Sequence, residues 1–348
     1  MSAIVISLFI IVAILSYLEE YIARYKYGIY IFIGIILCFV AGFKDINSVN
    51  DADTYEYFFE HYDDPVLAKG VEFSYLWLSS ILYPAFQSVY AIFVLYAFIS
   101  VPTKLYAIKK ISPIIFLPLL IYISNIYILH DLTQIRVAVA SGFFLISIYY
   151  LSLDNRRYAF ALMLIAFFFH YSSLSLLPLL FLSNNKMDTK QKCIWGTLIP
   201  LGYIIYFLHI NLLVTIPIPY ISNKISAYQE LTEKGIGGND QINVFNIVFL
   251  VNIIIFYYNL LFYNTIYHYC KSSTLIIKIQ ALSIFFFPAF AIIPAIGFRL
   301  SELYSIINIF AYSNIFYTIK QKMIGVTVTA IVGFSILMIN IFYNHYLL

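Results

Sequence analysis

The sequence predicts an all-α, polytopic integral membrane protein, and its composition and its apolar runs carry that prediction. Of its 348 residues, 62% are hydrophobic and only 11% are charged, whereas soluble globular proteins have about 25% charged residues. Apolar runs long enough for a transmembrane helix, about 17–25 residues, recur from the beginning of the chain to its end. An outer-membrane barrel would instead show segments of about ten alternating residues. The composition therefore excludes a water-soluble domain of this length.

Each apolar run is assigned one helix, and together the runs predict about ten full transmembrane helices. The first run ends in Leu18-Glu19-Glu20 and lacks a small-residue cleavage site, so we expect a transmembrane helix and not a removed signal peptide. No polar stretch is long enough for a separate soluble domain, and residues 1–348 are expected to form a single transmembrane domain. The expected helices span residues 3–18, 27–43, 84–108, 111–129, 133–151, 193–209, 244–263, 275–296, 298–318 and 325–343.

Cysteines and net charge limit the classes of site. Cys38, Cys193 and Cys270 stand far apart and lack His or acidic partners at ligand spacing. This pattern indicates neither a disulfide framework nor a metal site, and no cofactor is expected. A net charge of +3 gives no argument for nucleic-acid binding.

Residues 157–182 are expected to fold as a half-length helical hairpin. If this span were one long helix, the lysines of residues 186–192 would lie across the membrane from Arg156 and Arg157, which the positive-inside rule disfavours. Two arms of about 12 residues reach roughly 18 Å, against a hydrocarbon core of about 30 Å. The tip at His170 is therefore expected below the external surface, where it must be covered by protein or line a wet cavity.

With this hairpin the basic residues define an orientation in which both termini and the loops at about 44–83 and 210–243 are external. Arg136 and Arg299 remain within helices. The basic residues expected outside are Lys44, Lys69, Lys224 and Lys234, and those expected inside are Arg24, Lys26, Lys104, Lys109, Lys110, Arg156, Arg157, Lys186, Lys190, Lys192, Lys271, Lys278, Lys320 and Lys322.

This orientation places the unusual polar residues on one face of the membrane. An ionisable side chain at membrane depth costs at least about 2.5–3.5 kcal/mol on insertion scales, so it indicates a functional site. The convergence of several such residues predicts a polar cavity on the external face. The residues are Asp51, Asp53, Glu72, His130, Asp131, Arg136, His170, Arg299 and Glu302.

The two intramembrane arginines suggest an anion site. Arg136 is followed by small residues that let another helix approach. Arg299 follows Pro294, where a helix should begin, so that its guanidinium and free backbone N–H groups face the same region. The alternative interpretations are an Arg299–Glu302 pair three residues apart, and an Arg136 that pairs with Asp131 or reaches the surface.

His170 and Asp53 are the candidate general bases. An imidazole can take a proton from an attacking alcohol, although a histidine beside aromatic residues is often a structural hydrogen-bonding group. Asp53 competes for the role. Asp51 is interpreted as part of a solvated acidic loop.

Aromatic residues alternate with acids around Tyr55 and Glu72, a composition that suits sugar rings and equally describes an interfacial aromatic belt. His130 and Asp131 are expected to cap the helix that begins near Thr133.

Read in order, the chain resembles the EpsG family of bacterial polysaccharide polymerases, related in role to the Wzy O-antigen polymerases. Family members often have Gln where this chain has Val137. The motifs that carry the resemblance are Gly42-Phe-Lys-Asp45, Asp53-Thr-Tyr55, Glu72-Phe73, Ile135-Arg136-Val-Ala138, Phe169-His170-Tyr-Ser172 and Phe298-Arg299-Leu-Ser-Glu-Leu-Tyr304.

The resemblance implies an enzyme of the bacterial inner membrane, with its active site facing the periplasm or exterior. Its substrates would be undecaprenyl-pyrophosphate-linked oligosaccharide repeat units, transferred with inversion onto a new lipid-linked unit, and a chain-length regulator protein is a further partner. It implies that Arg136 and Arg299 bind pyrophosphate and that His170 or Asp53 is the base. The substrate-binding residues would be Tyr55, Glu72, Asp131, Glu302 and Tyr304.

Two other function classes fit some of these features. A flippase or transporter of lipid-linked anionic saccharides would use the same arginines for binding, but it would need essential polar residues at several depths. A membrane-bound acyltransferase would also use a histidine at membrane depth, but it would take its donor from the cytoplasm. The expected external cavity favours the polymerase.

Overall fold

The computed structural model describes residues 1–67, 70–212 and 243–347. Within these ranges every regular element is helical, which confirms the all-α class. Lys69, Lys224, Lys234 and most of the loop expected at 210–243 lie outside the described residues.

The α-helices are numbered in chain order. The first nine are α1 (Ser2–Leu18), α2 (Lys26–Gly42), α3 (Ala52–Glu60), α4 (Phe73–Phe86), α5 (Tyr90–Ile111), α6 (Phe116–Ser124), α7 (Ile135–Ser152), α8 (Arg156–Phe169) and α9 (Thr189–Phe207). They are followed by α10 (Ile247–Leu261), α11 (Tyr263–Tyr269), α12 (Ser273–Ala289), α13 (Pro294–Ser305), α14 (Asn308–Ser313) and α15 (Lys322–Met338). Other helical segments are the π-helical turns Tyr127–Thr133 and Ile339–Tyr343 and the 3₁₀ segments Ile46–Ser48, Tyr171–Phe181 and Asn314–Thr318.

Several helices have the length and composition to cross a membrane. Among the described residues these are α5, α7 and the continuous stretch Lys322–Tyr343, and the number rises from three to five if each of two bent helix pairs is one span. Large apolar side chains such as Ile14 and Phe32 face outward, 53% and 63% exposed. These features are consistent with a membrane protein, while the expectation of about ten full spans stays a prediction.

The helix boundaries near residue 84 differ from the predicted ones. The run expected at 84–108 begins at Tyr90, because α4 ends separately at Phe86 and Gln87 adopts a left-handed conformation with φ of 48°. The interval 44–83, expected as a loop, contains α3 and most of α4. Both helices have fewer than the roughly 17 residues of a membrane span, so a search for long apolar runs does not find them.

The expected helices 275–296 and 298–318 are divided at other positions. Helix α12 ends at Ala289, and α13 begins at Pro294, whose missing N–H is not needed in a first helical turn. The chain turns again between α13 and α14. The beginning of a helix just before Arg299 agrees with the sequence prediction.

The helix expected at 111–129 is broken. Helix α6 ends at Ser124, and the following π-helical turn is inclined to it by 64°. The Asn340 side chain donates hydrogen bonds to the Ser124 carbonyl and to Oδ1 of Asn125, both at 3.0 Å. A break among apolar helices is tolerated because such contacts satisfy the freed polar groups.

Asp131 does not cap α7, so the capping prediction is wrong. Its fully buried carboxylate accepts hydrogen bonds from Ser100 at 2.6 Å, from Tyr122 at 2.8 Å and from Lys104 at 2.8 Å to both oxygens. Lys104 is 0% exposed within α5, and its expected position on the inside face stays a prediction. A buried cation and a buried anion satisfy each other here.

Lys44 extends this network toward the loop after α2. Its Nζ donates to the Leu132 carbonyl at 2.6 Å and lies 4.4 Å from the centre of the Phe93 ring. Burial lowers the pKa of Lys44 to about 7, with Asp131 and Asp51 opposing the shift. Lys44 thereby connects the loop after α2 to the π-helical turn.

Small residues bring α7 against α5, as the sequence predicts. A Cβ atom added at Gly142 would lie 2.1 Å from Oγ1 of Thr103, which no side chain tolerates. The two helices therefore approach closely and fix the start of α7, where Arg136 lies.

Residues 157–182 change conformation at His170. Helix α8 ends at Phe169, His170 is extended, and a 3₁₀ segment follows. Asn184 donates to the Ser152 carbonyl at 3.1 Å, so the end of that segment returns to the region where α8 begins. The depth of this hairpin in a membrane stays a prediction.

We predict that Asp131→Ala lowers the free energy of unfolding by about 3–5 kcal/mol, because it leaves the buried Lys104 charge without its partner. The double variant Lys104→Met/Asp131→Leu should recover most of this loss. Unfolding in detergent by SDS titration measures both, with Lys320→Met as a control at an exposed lysine. Equal loss in the single and double variants would contradict the assignment.

Candidate functional site

A polar cavity of about 270 Å³ lies where the ends of several elements meet. Glu72 immediately precedes α4, Arg136 is the second residue of α7, and His170 follows α8. Helix α13 contributes Arg299, Glu302 and Leu303. The sequence-predicted site residues that line this cavity are Tyr55, Glu72, Arg136, His170, Arg299 and Glu302.

Glu72 joins two of these groups. Its carboxylate accepts a hydrogen bond from the Arg136 guanidinium and another from Nδ1 of His170 at 2.9 Å. Burial raises the pKa of Glu72, but the His170 hydrogen bond and the Arg136 charge outweigh it and hold the pKa below its ordinary value. Glu72 is therefore ionised, and it occupies the place that one interpretation of the sequence gave to Asp131 as the partner of Arg136.

The Glu72 contact determines where His170 carries its proton. An ionised carboxylate only accepts hydrogen bonds, so Nδ1 must be the protonated nitrogen. In the neutral imidazole, Nε2 then has a free lone pair. His170 is 15% exposed at the cavity, a position from which Nε2 can accept a proton.

Arg136 is held by its surroundings and keeps one donor unused. Its guanidinium lies 5.3 Å from the centre of the Tyr55 ring, and the Tyr55 carbonyl accepts a hydrogen bond from Tyr75 at 2.7 Å. Nε of Arg136 is buried and has no hydrogen-bond partner among the described residues. An unpaired buried donor of this kind costs about 1–3 kcal/mol.

Asp51 is a cavity residue that the sequence analysis interpreted as solvated. It lines the cavity at an exposed position and adopts a left-handed conformation with φ of 67°. Partial burial raises the pKa of Asp51 above its ordinary value, while the Arg136 charge opposes the shift. Asn and Asp tolerate left-handed backbone better than most residues, so Asn50-Asp51 before a short helix was the available signal.

Glu302 lines the cavity and contacts a buried histidine, His130. Nε2 of His130 lies 3.1 Å from Oε1 of Glu302, and Nδ1 lies 3.3 Å from Oγ of Ser141. The His130 side chain is 0% exposed, whereas that of Glu302 is 22% exposed. His130, expected as part of a helix cap, instead connects α7 to α13.

Three predicted site residues do not line the cavity. Oδ1 of the exposed Asp53 accepts from the Thr54 backbone N–H at 2.8 Å. Asp131 lies in the buried network with Lys104. Tyr304 is 2% exposed and donates its hydroxyl hydrogen bond to the Ser175 carbonyl.

A larger cavity of about 540 Å³ lies between the end of α1 and the start of α15. Its charged groups are bonded to the protein itself: Glu19 accepts from the backbone N–H groups of Ile115 and Phe116, and Glu20 accepts from Lys322. Its walls are mostly apolar. The smaller cavity is therefore the candidate active site.

Comparison with known proteins gives one match. No curated protein and no solved structure shows significant similarity to this chain. The sequence model of the EpsG family matches residues 27–347, which includes every residue that lines the polar cavity. The chain therefore belongs to the EpsG family.

Proposed function

We propose that this protein is a polymerase that joins undecaprenyl-pyrophosphate-linked oligosaccharide repeat units on the external face of the bacterial inner membrane. The observation that carries the proposal is the cavity that combines two arginines with a histidine whose Nε2 is free to accept a proton. The family is associated with polysaccharide synthesis, which agrees with this chemistry. The product is O-antigen, capsule or exopolysaccharide.

In the proposed reaction the acceptor hydroxyl gives its proton to Nε2 of His170 and attacks the anomeric carbon of the donor. The bond from that carbon to the lipid pyrophosphate breaks as the new glycosidic bond forms, and direct attack inverts the anomeric centre. Glu72 stabilises the imidazolium that results. The lipid donor carries the activated bond, so the proposal invokes no metal or cofactor.

Arg136 and Arg299 bind the pyrophosphate in this proposal and stabilise the charge that develops on it. Both arginines line the polar cavity, which supports this role. A planar guanidinium matches phosphate oxygens in a bidentate way, which a lysine does not.

The remaining predicted residues differ in whether they line the cavity and in whether protein partners already occupy their polar atoms. His170 lines the cavity and Asp53 does not, which supports His170 as the base. Tyr55, Glu72 and Glu302 remain candidates for substrate contact. Asp131 and Tyr304 are proposed to support the fold, because protein partners occupy their polar atoms.

The second candidate is a flippase of lipid-linked anionic saccharides, which requires polar residues at several depths. The buried Lys104–Asp131 pair is such a feature. Both side chains are 0% exposed and bonded to each other, however, which favours a structural role. A chain-length regulator protein as partner belongs to the polymerase proposal.

We predict that Arg136→Ala and Arg299→Ala each abolish polymerisation while the protein still accumulates in the membrane. In a host deletion strain complemented with each variant, the surface polysaccharide should stop at one repeat unit on a gel. Arg→Lys variants should recover activity only partly. Arg157→Ala, at an exposed arginine, is the matched control.

Two outcomes of that experiment would contradict the proposal. Absence of even one surface repeat unit in the deletion strain would indicate a step before polymerisation, such as a flippase. Normal ladders in both alanine variants would remove the pyrophosphate role of the arginines.

We further predict that Glu72→Gln lowers the polymerisation rate by about 10²–10⁴-fold, because the uncharged amide no longer stabilises a protonated His170. His170→Gln should fall at least as far, and the double variant should be no slower than the slower single variant. The rate of ladder formation from purified lipid-linked repeat units measures this, with the exposed Glu60→Gln as control. Additive losses would show that the two residues do not act as a unit.

A further inference from the structure

The hydrogen bonds around His130 allow the protons of the His130–Glu302 contact to be assigned. Ser141 has one hydroxyl proton, and its Oγ lies 2.9 Å from the Ala138 carbonyl, which can only accept. With the Ser141 proton directed to this shorter contact, Oγ accepts from Nδ1 of His130, 3.3 Å away, and we assign the His130 tautomer accordingly. In the neutral imidazole the other nitrogen, Nε2, is then without a proton.

Nε2 of His130 and Oε1 of Glu302 are 3.1 Å apart, and a hydrogen bond between them requires one proton. That proton resides either on the carboxyl group of Glu302 or on the imidazole as a second proton. In both cases the couple holds one transferable proton and is neutral as a whole. In the Glu72–His170 couple, by contrast, the histidine lines the cavity and its Nε2 carries a free lone pair, so that couple can accept a proton.

The couple is placed beside the proposed pyrophosphate site. Glu302 follows Arg299 by three residues on α13, so the two side chains are neighbours on one helix face. Both line the polar cavity. His130 is fully buried, so the proton can leave toward the cavity only through Glu302.

We propose that Glu302, backed by His130, is the general acid that delivers a proton to the departing pyrophosphate. This inference rests on the proposed polymerase function and deepens it. The acceptor oxygen forms a bond to the anomeric carbon and gives its proton to His170. The carbon–oxygen bond to the phosphate breaks, its electron pair stays on the phosphate oxygen, and the pyrophosphate receives the proton of the couple. External water then returns a proton to the couple and removes the one on His170.

The two residues have different roles. Glu302 contacts the leaving group and is the catalytic residue, whereas His130 acts through Glu302 and is a positioning residue that shares its proton. Removing a general acid lowers a rate by about 10²–10⁴-fold. Because Glu302→Gln keeps the size and a hydrogen-bond donor but has no transferable proton, it isolates the proton-transfer step.

The experiment uses purified full-length protein in lipid nanodiscs, with lipid-linked repeat units from a polymerisation-deficient host as donor and acceptor. We expect Glu302→Gln to lower kcat about 100-fold with little change in KM. We expect His130→Gln to lower kcat less, because Glu302 remains. Glu60→Gln is the control, an exposed acid outside the cavity.

A proton inventory separates acid catalysis from a structural effect. In mixtures of H₂O and D₂O the wild-type rate should depend on the deuterium fraction as a curve, since two protons move, and the Glu302→Gln rate should depend on it linearly. Wild-type kcat in Glu302→Gln, or a reduced kcat with an unchanged curve, would overturn the acid assignment. A wild type that makes no polymer from these units would instead overturn the proposed function.

Discussion

The ion pair between Lys104 and Asp131 is the interaction on which the arrangement around the cavity depends. It joins α5 to the π-helical turn, and α7 with Arg136 begins directly after that turn. Such a pair is not a source of great stability in itself, because both charges lose their hydration, but its loss leaves a charge buried among apolar helices. The pair therefore restricts the turn to one arrangement. His130, the neighbour of Asp131, is held by different partners and reaches α13.

The need to pair buried charges also applies to the residues that line the cavity. Glu72 is ionised and mostly buried, and it is stabilised there by Arg136 and His170 together. Asp51 and Glu302 add carboxyl groups near the two arginines, so the cavity carries cationic and anionic groups in similar number. A cavity with balanced charge costs less among apolar helices than one lined by arginines alone. In the proposed function, the two arginines therefore bind an anionic substrate in a cavity that has no large excess of positive charge beforehand.

The sequence predicted the class of fold and six of the residues that line the cavity, because apolar length and buried charge are local properties that a chain displays directly. The sequence did not predict which buried side chains contact one another. The spacing of Asp131 from Gln134 fits a capping box, so Asp131 and His130 were predicted to cap a helix. In the structure, Asp131 instead contacts Lys104, and His130 contacts Glu302. Helices α3 and α4 were missed because they are too short to span a membrane. Asp51 is exposed, as expected for a solvated loop, and it also lines the cavity through a left-handed turn that composition does not show.

On the proposed function, Glu72 connects donor binding to the strength of the base. In the resting cavity its negative charge is shared between Arg136 and His170. A pyrophosphate that binds Arg136 competes with Glu72 for the guanidinium, and the carboxylate then interacts mainly with His170. A carboxylate no longer neutralised by Arg136 favours a protonated imidazole more strongly. In the proposed reaction, this competition links deprotonation of the acceptor by His170 to the complex in which a leaving group is present.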